Sequence, residues 1–275
     1  MGESALFPAR GTAAARAGLP VARGGAIIGT DFRKGAVRME NGRRAEGSAS
    51  GIGLLNERSL HAFLKEYYEP DPVRREVAVG RLVADIRNGE GITEIQTGGF
   101  TPLRRKLPRL LEEDRVTVVY PVAQTKWIVW VDPDTGETTK PRKSPRTGTA
   151  YDIFAQLVYL GDLFRAYPER LYFRIVLLEL TEYRSLCGWS RDRKKGSARI
   201  DRVVGKVLRE QTVASPRGFG AFVCPQLPER FTAKDFAAAA AIPLRLAQKA
   251  LRVLVLAGAV RRAGKQRNAF IYERN

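Results

Sequence analysis

The sequence predicts an α/β protein in which helices pack on a mixed sheet. Three observations carry that expectation. Val- and Ile-rich runs of strand length alternate with amphipathic stretches of helical period. Turn formers fall mostly between these runs rather than inside them. The chain has 275 residues, 44% of them hydrophobic, which is enough for a substantial core.

Residues 1–50 are rich in Ala, Gly and Arg, have little periodicity and read as a disordered tail. Met39, the only internal methionine, offers an alternative translation start. Order is expected from Leu54, where Leu55, Leu60, Phe63, Leu64 and Tyr67 approximate a helical stripe, with Asn56 as N-cap and Glu57 in the first turn. PDPVRR breaks that helix. EVAVGRLVADI and GITEIQT form a hairpin about Asn88-Gly89, although Gly91 allows a longer loop. TPLRRKLPRLLEE is a helix that tolerates or bends at Pro108. A buried strand (RVTVVYPV) and a second hairpin (KWIVWVD, PDTG, ETTK) follow, with Trp127 and Trp130 assigned to core packing. Another helix (AYDIFAQLVYLGDLFRAY) leads to another apolar strand (LYFRIVLLEL).

The C-terminal part has a different pattern. IDRVVGKVLRE places Ile200, Val203, Val204, Val207 and Leu208 at helical spacing. Thr232 and Asp235 mark a capped helix start. A turn follows at AIP, then a helix opening at Pro243 and closing at Gly258, then the basic hairpin AVRRAGKQRNAFIYE. Helix, turn, helix and two-stranded wing resemble the winged-helix family over roughly fifty residues. The expected division is a tail at 1–50, an α/β domain at 54–199 and a winged helix-turn-helix domain at 200–275.

Composition narrows the function. The formal net charge is +18, which draws a polyanion to a wide surface. DNA is the favoured partner. A membrane surface is not, because no basic amphipathic helix with a bulky aromatic face is evident and no window has transmembrane length. Cys187 and Cys224 form no metal-ligand pair, which fits a reduced, cytoplasmic protein. A single histidine, His61, excludes His-rich zinc sites and is assigned no role. Carboxylates, amides and lysines are left to carry any chemistry.

The stretch ADIRNGEGITEIQTGGF concentrates them. Strand alternation puts Glu94 and Gln96 on one face, and Asp85 on the neighbouring strand joins them if the register is right. Two convergent carboxylates suit a hard divalent cation such as Mg²⁺ or Mn²⁺. A wet hairpin face also carries acids for purely structural reasons. The order of helix with Glu, strand with Asp, turn, Glu-x-Gln strand and helix resembles the PD-(D/E)xK nuclease superfamily over residues 54–122, in a restriction-endonuclease-like core. The chain further resembles a group of uncharacterised bacterial proteins in which this core precedes a winged helix. The resemblance implies Asp85 and Glu94 as metal ligands, Glu57 as a helical assistant and Gln96 in the place of the usual water-positioning Lys. Ala84 replaces the usual Pro before Asp85. Gln hydrogen-bonds water but carries no charge, so Lys106 or Lys126 is expected to supply the missing cation.

The basic loops KPRKSPRTG and GWSRDRKKGSAR are expected to contact phosphates, the second through Arg191, Arg193, Lys194 and Lys195. Arg245, Gln248, Lys249 and Arg252 lie on the helix expected to enter a major groove, with Arg261, Arg262, Lys265 and Arg267 in the wing. Two functions follow: a metal-dependent DNA endonuclease, or a catalytically inactive DNA-binding protein or regulator on the same fold. Oligomeric state is open, a homodimer included.

Overall fold

The computed structural model describes residues 58–185 and 197–275. All of them belong to one compact unit. The expected tail, Glu57, and Arg191, Arg193, Lys194 and Lys195 lie outside the described residues.

Helix α1 (Arg58–Tyr68) opens the described chain. A 3-10 turn at Pro72–Arg74 leads into strands β1 (Arg75–Val79), β2 (Leu82–Asn88) and β3 (Gly91–Ile95). Asn88 pairs with Gly91, so the expected hairpin turns over Gly89 and Glu90. Gly91 is required there: its φ is +101°, and a Cβ would stand 2.6 Å from the Arg115 side chain. Helix α2 (Leu103–Glu113) forms as expected, with Pro108 inside it. Its buried Leu103, Leu107, Leu110 and Leu111 make a single apolar stripe.

Strands β4 (Val116–Val131), β5 (Arg142–Lys143), β6 (Leu171–Ser185) and β7 (Ala198–Val213) complete the main sheet. Its order is β1-β2-β3-β4-β6-β7, with β5 paired to β4. The β3–β4 and β4–β6 pairs are parallel, and β1–β2, β2–β3 and β6–β7 are antiparallel. The sheet is therefore mixed, as the sequence predicts.

Several boundaries differ from expectation. The two runs RVTVVYPV and KWIVWVD are one strand, β4. Pro121 lies inside it, past Val119, where β3 has ended and one side of β4 has no β3 partner. Trp127 and Trp130 are half-buried on β4 rather than in the core. The helix expected over 150–167 is broken into a 3-10 turn (Ala150–Ile153), α3 (Phe154–Leu157) and α4 (Gly161–Ala166). Gly161 marks the second break, and a Cβ there would meet Leu256 at 2.5 Å. The expected helix at 200–210 is strand β7, so the 199/200 boundary falls inside the sheet. Register shifts opposite Leu177/Leu178, Glu179/Leu180 and Tyr183/Arg184 insert extra β7 residues. Those bulges break the two-residue alternation and give the apolar positions a helix-like spacing.

A 3-10 segment at Pro216–Phe222 then leads to β8 (Arg230–Phe231), α5 (Ala233–Ala239), α6 (Leu244–Leu256), β9 (Val260–Gln266) and β10 (Ala269–Arg274). The Thr232/Asp235 capping box forms. The three strands make a small sheet in the order β8-β10-β9. The main hydrophobic core runs without a break from α2 and the sheet, through Phe154, Phe219 and Phe222, to Ala247, Leu251 and Leu254 of α6. A smaller core lies under α1, between Leu60 and Leu64 and Ile86, Ile95, Val119 and Val176 of the sheet. No helix among the described residues is long and apolar enough to cross a membrane.

Candidate active site

The β2–β3 ladder ends at the Ile86–Thr93 pair, one step short of Asp85 and Glu94. Beyond that point the Asp85 side chain takes over: its Oδ2 accepts the Ile95 backbone amide at 2.7 Å. The same oxygen lies 3.2 Å from His61 Nε2 on α1. Glu94, only 4% exposed, is held from the other side. Lys106 Nζ donates to its Oε2 at 2.7 Å. The reach of Lys106 follows from α2: it sits three residues after Leu103 and four before Leu110, beside the stripe that packs the helix onto the sheet. The two carboxylates expected to converge thus sit on adjacent strands, with a histidine on one side and a lysine on the other.

Their environments separate them. Burial, then the neighbouring Asp85 charge, push the Glu94 carboxyl up to about 7, against the opposing pull of Lys106 and the Asp85 backbone amide. Burial also acts against ionisation of Asp85, but the hydrogen bond and charge of His61, the Ile95 amide and Lys106 outweigh it. Its carboxyl is held below the usual range. Asp85 is a fixed anion at neutral pH, and Glu94 is balanced between its two states.

The donor set fits a hard divalent cation in part. Glu94 Oε1 is buried and has no hydrogen-bond partner. Among the described residues, both hydrogen-bond contacts of the Asp85 carboxylate go to Oδ2 and none to Oδ1. Each carboxylate therefore keeps one oxygen for a ligand. Among the described residues no group of three His, Cys, Asp or Glu side chains forms a metal cluster.

The other expected participants are distributed as follows. Gln96 sits just past β3, and its Nε2 donates to Gly99 O at 2.7 Å, which turns its amide nitrogen toward the following loop. Lys106 is the cation that reaches the carboxylates. Lys126 instead lies 3.6 Å from Glu182, which is buried on β6. Burial opposes ionisation of Glu182, but the Arg184 hydrogen bond and the Lys126 charge outweigh it and hold its carboxyl low. Beside this pair, Arg202 on β7 donates to Thr97 O at 3.2 Å. Next to it, the fully buried Asp201 accepts the Ser59 hydroxyl of α1. None of His61, Arg202, Glu182 or Asp201 carries a sequence signal. His61 reaches Asp85 through the packing of α1, and Arg202 reaches the Thr97 carbonyl through sheet register.

The expected DNA-contacting cations divide into separate places. Arg245 and Lys249 on α6 line a cavity of about 730 Å³ together with Arg146, Thr147, Thr149, Tyr120 and Gln156 of the α/β core. Arg252 and Arg262 line another, of about 430 Å³, with Arg104 of α2. Arg261 pairs with Glu273, while Arg262 and Lys265 lie over the Phe270 ring at 4.4 and 4.8 Å. Arg267 is exposed in the hairpin turn at φ 53°.

Residues 58–214 match the family described as a domain of unknown function, DUF8091. The match spans more than half of the chain, which belongs to that family. The chain is also 33% identical over 190 residues to an uncharacterised protein of Treponema pallidum (strain Nichols), covering 68% of this chain and 73% of that one. No solved structure matches.

Proposed function

We propose that this protein is a metal-dependent DNA endonuclease with a restriction-endonuclease-like core, positioned on DNA by a C-terminal winged-helix element. The observation that carries the proposal is the pair of adjacent carboxylates, each with one oxygen uncommitted. Glu94 Oε1 bears most weight, as a buried acceptor with no partner. Such an atom is costly to bury unless something completes it. The +18 charge supports a polyanionic substrate.

Asp85 and Glu94 would hold Mg²⁺ or Mn²⁺. Such an ion, when bound, neutralises phosphate charge and lowers the pKa of water. The chain's own residues do the rest. His61 and the Ile95 amide fix the Asp85 carboxylate through Oδ2, leaving Oδ1 directed elsewhere. Lys106 favours the ionised form of Glu94 and brings a positive charge beside it, the role the superfamily's strand lysine would otherwise fill. Gln96, with its amide nitrogen on Gly99, keeps its carbonyl oxygen as an acceptor for water.

A cytoplasmic location is proposed with this reading. The test is incubation of purified protein with plasmid, single-stranded and branched DNA, with Mg²⁺ or Mn²⁺. Cleavage is expected from wild type and is expected to disappear in both Asp85→Ala and Glu94→Ala. Cleavage that survives both substitutions would refute the assignment.

One observation favours the second reading, a catalytically inactive DNA-binding protein. The position of the usual lysine holds Gln96, and its amide faces Gly99. That reading expects salt-sensitive DNA binding without metal-dependent cutting.

A further inference from the structure

We propose that the groove between α6 and the α/β core holds a single strand of nucleic acid, rather than α6 entering the major groove of a duplex. The inference rests on the nuclease reading only for what happens to the strand at the carboxylates.

The geometry of α6 is the first reason. A helix with its side chains is about as wide as the major groove of B-DNA, ~12 Å, so its leading edge must stand clear of structure on both flanks. The leading edge of α6 does not. Arg245, Leu246 and Lys249 face Arg146, Thr147 and Thr149 across a shared cavity, with Tyr120, Ala155 and Gln156 behind. The wall opposite α6 is pinned in place. Ser144 N donates to Lys126 O at 2.8 Å, and Gly148 N donates to Ala123 O at 3.0 Å. At Gly148 the approach to β4 is so close that a Cβ would stand 2.5 Å from the Ala123 carbonyl.

The second reason is the chemistry and extent of the groove. Three cations, Arg146, Arg245 and Lys249, and two threonine hydroxyls line a space of about 730 Å³. Cations with hydroxyls beside them are the lining that a phosphate backbone requires. Asp152 is the single acid in the lining and lies 3.9 Å from Arg146.

The third reason is direction. Tyr120, Arg146 and Asp152 also line a smaller cavity of about 180 Å³, which continues to Lys126, Glu182 and Arg202. Arg202 in turn bonds the Thr97 carbonyl, three residues past Glu94. The two cavities therefore share Tyr120, Arg146 and Asp152 and lead from α6 toward the loop that follows Glu94 on β3.

The experiment is fluorescence anisotropy in metal-free buffer with a labelled 20-nucleotide single strand and the duplex of the same sequence. The proteins are wild type, Arg245→Ala/Lys249→Ala, Arg146→Ala, and the control Arg81→Ala/Arg217→Ala, two exposed cations outside the groove. Wild type is expected to prefer the single strand. The α6 pair is expected to weaken single-strand binding about tenfold or more, and Arg146→Ala is expected to weaken it in the same direction. The control variant is expected to change it less than threefold. Thermal melts of each variant exclude misfolding, since Arg245 is exposed and Lys249 half-exposed. Preference for duplex, no binding to either probe at moderate salt, or an unchanged single-strand affinity in the α6 pair would each overturn the proposal. Because no metal is present, the result is independent of catalysis. An inactive protein that binds through this groove would sink the nuclease reading and leave this one, and an active nuclease indifferent to the α6 pair would do the reverse.

Discussion

Glu94 is subject to two opposing demands. Its burial favours the neutral acid, while a divalent cation needs the carboxylate. Its folded-state pKa, about 7, lies above the ordinary 4.5, so the folded chain binds the extra proton between those values. Stability is then lost as pH rises from about 4.5 to 7, by about 3 kcal/mol in all. Glu94→Gln removes that cost. In metal-free buffer it is expected to melt above wild type at pH 8, with the gap closing toward pH 5. A constant gap across that range would show that Glu94 does not titrate in the fold. Lys106 acts on the same equilibrium. Lys106→Met is expected to push the Glu94 carboxyl higher still and so shift the pH–rate profile of metal-dependent cleavage to higher pH. Lys106→Arg is expected to restore much of it, and an unshifted profile in Lys106→Met would remove Lys106 from the site. Asp85 and Glu94 were legible as neighbours from strand alternation, given the right register, whereas Lys106 was only one of two candidate cations beside Lys126. His61 was not: its contact with Asp85 depends on how α1 lies across the sheet, which no local pattern encodes.

Helix α2 sets the position of Lys106, and the 144–149 segment, held on β4, sets one wall of the groove. Leu107 is fully buried next to Lys106, and Leu107→Ala is expected to cost about 2–5 kcal/mol and to lower cleavage beyond the loss of fold. A denaturant titration read beside activity at saturating stability separates the two effects. Gly148→Ala forces a Cβ against the Ala123 carbonyl, so the segment must lift from β4. It is expected to weaken single-strand binding several-fold while leaving the carboxylate pair intact. Unchanged binding would mean that this wall does not shape the groove. The β2–β3 hairpin, with its turn read one residue early at Asn88-Gly89, α2 and the α5–α6 pair were readable because period and turn chemistry agree there. Strand β7 was not, since its bulges give Val203, Val204, Val207 and Leu208 a helical spacing on an extended chain. The long β4 was cut in two at residues 123–125, where its register with β6 shifts between Ala123 and Thr125 and the apolar pattern is interrupted.

Across the whole molecule, the continuous core joins α6 to the sheet and makes the C-terminal helices part of the groove's architecture. The helix-like spacing within β7 concealed that continuity, because it made the chain from residue 200 onward read as a separate domain. The net charge of +18 makes binding to nucleic acid strongly salt-dependent. For a single strand, removal of Arg245 and Lys249 is expected to reduce the slope of log K against log salt by about 1.4, from ~0.7 per phosphate contact. An unchanged slope would place those cations outside the contact surface. The central claim remains that Asp85 and Glu94 build one divalent-cation site. Calorimetric titration of Mn²⁺ into wild type, Asp85→Asn and Glu94→Gln at pH 8 tests it most directly. One site in wild type, absent from both variants, is the expected result. No binding to wild type, or undiminished binding to the variants, would contradict it.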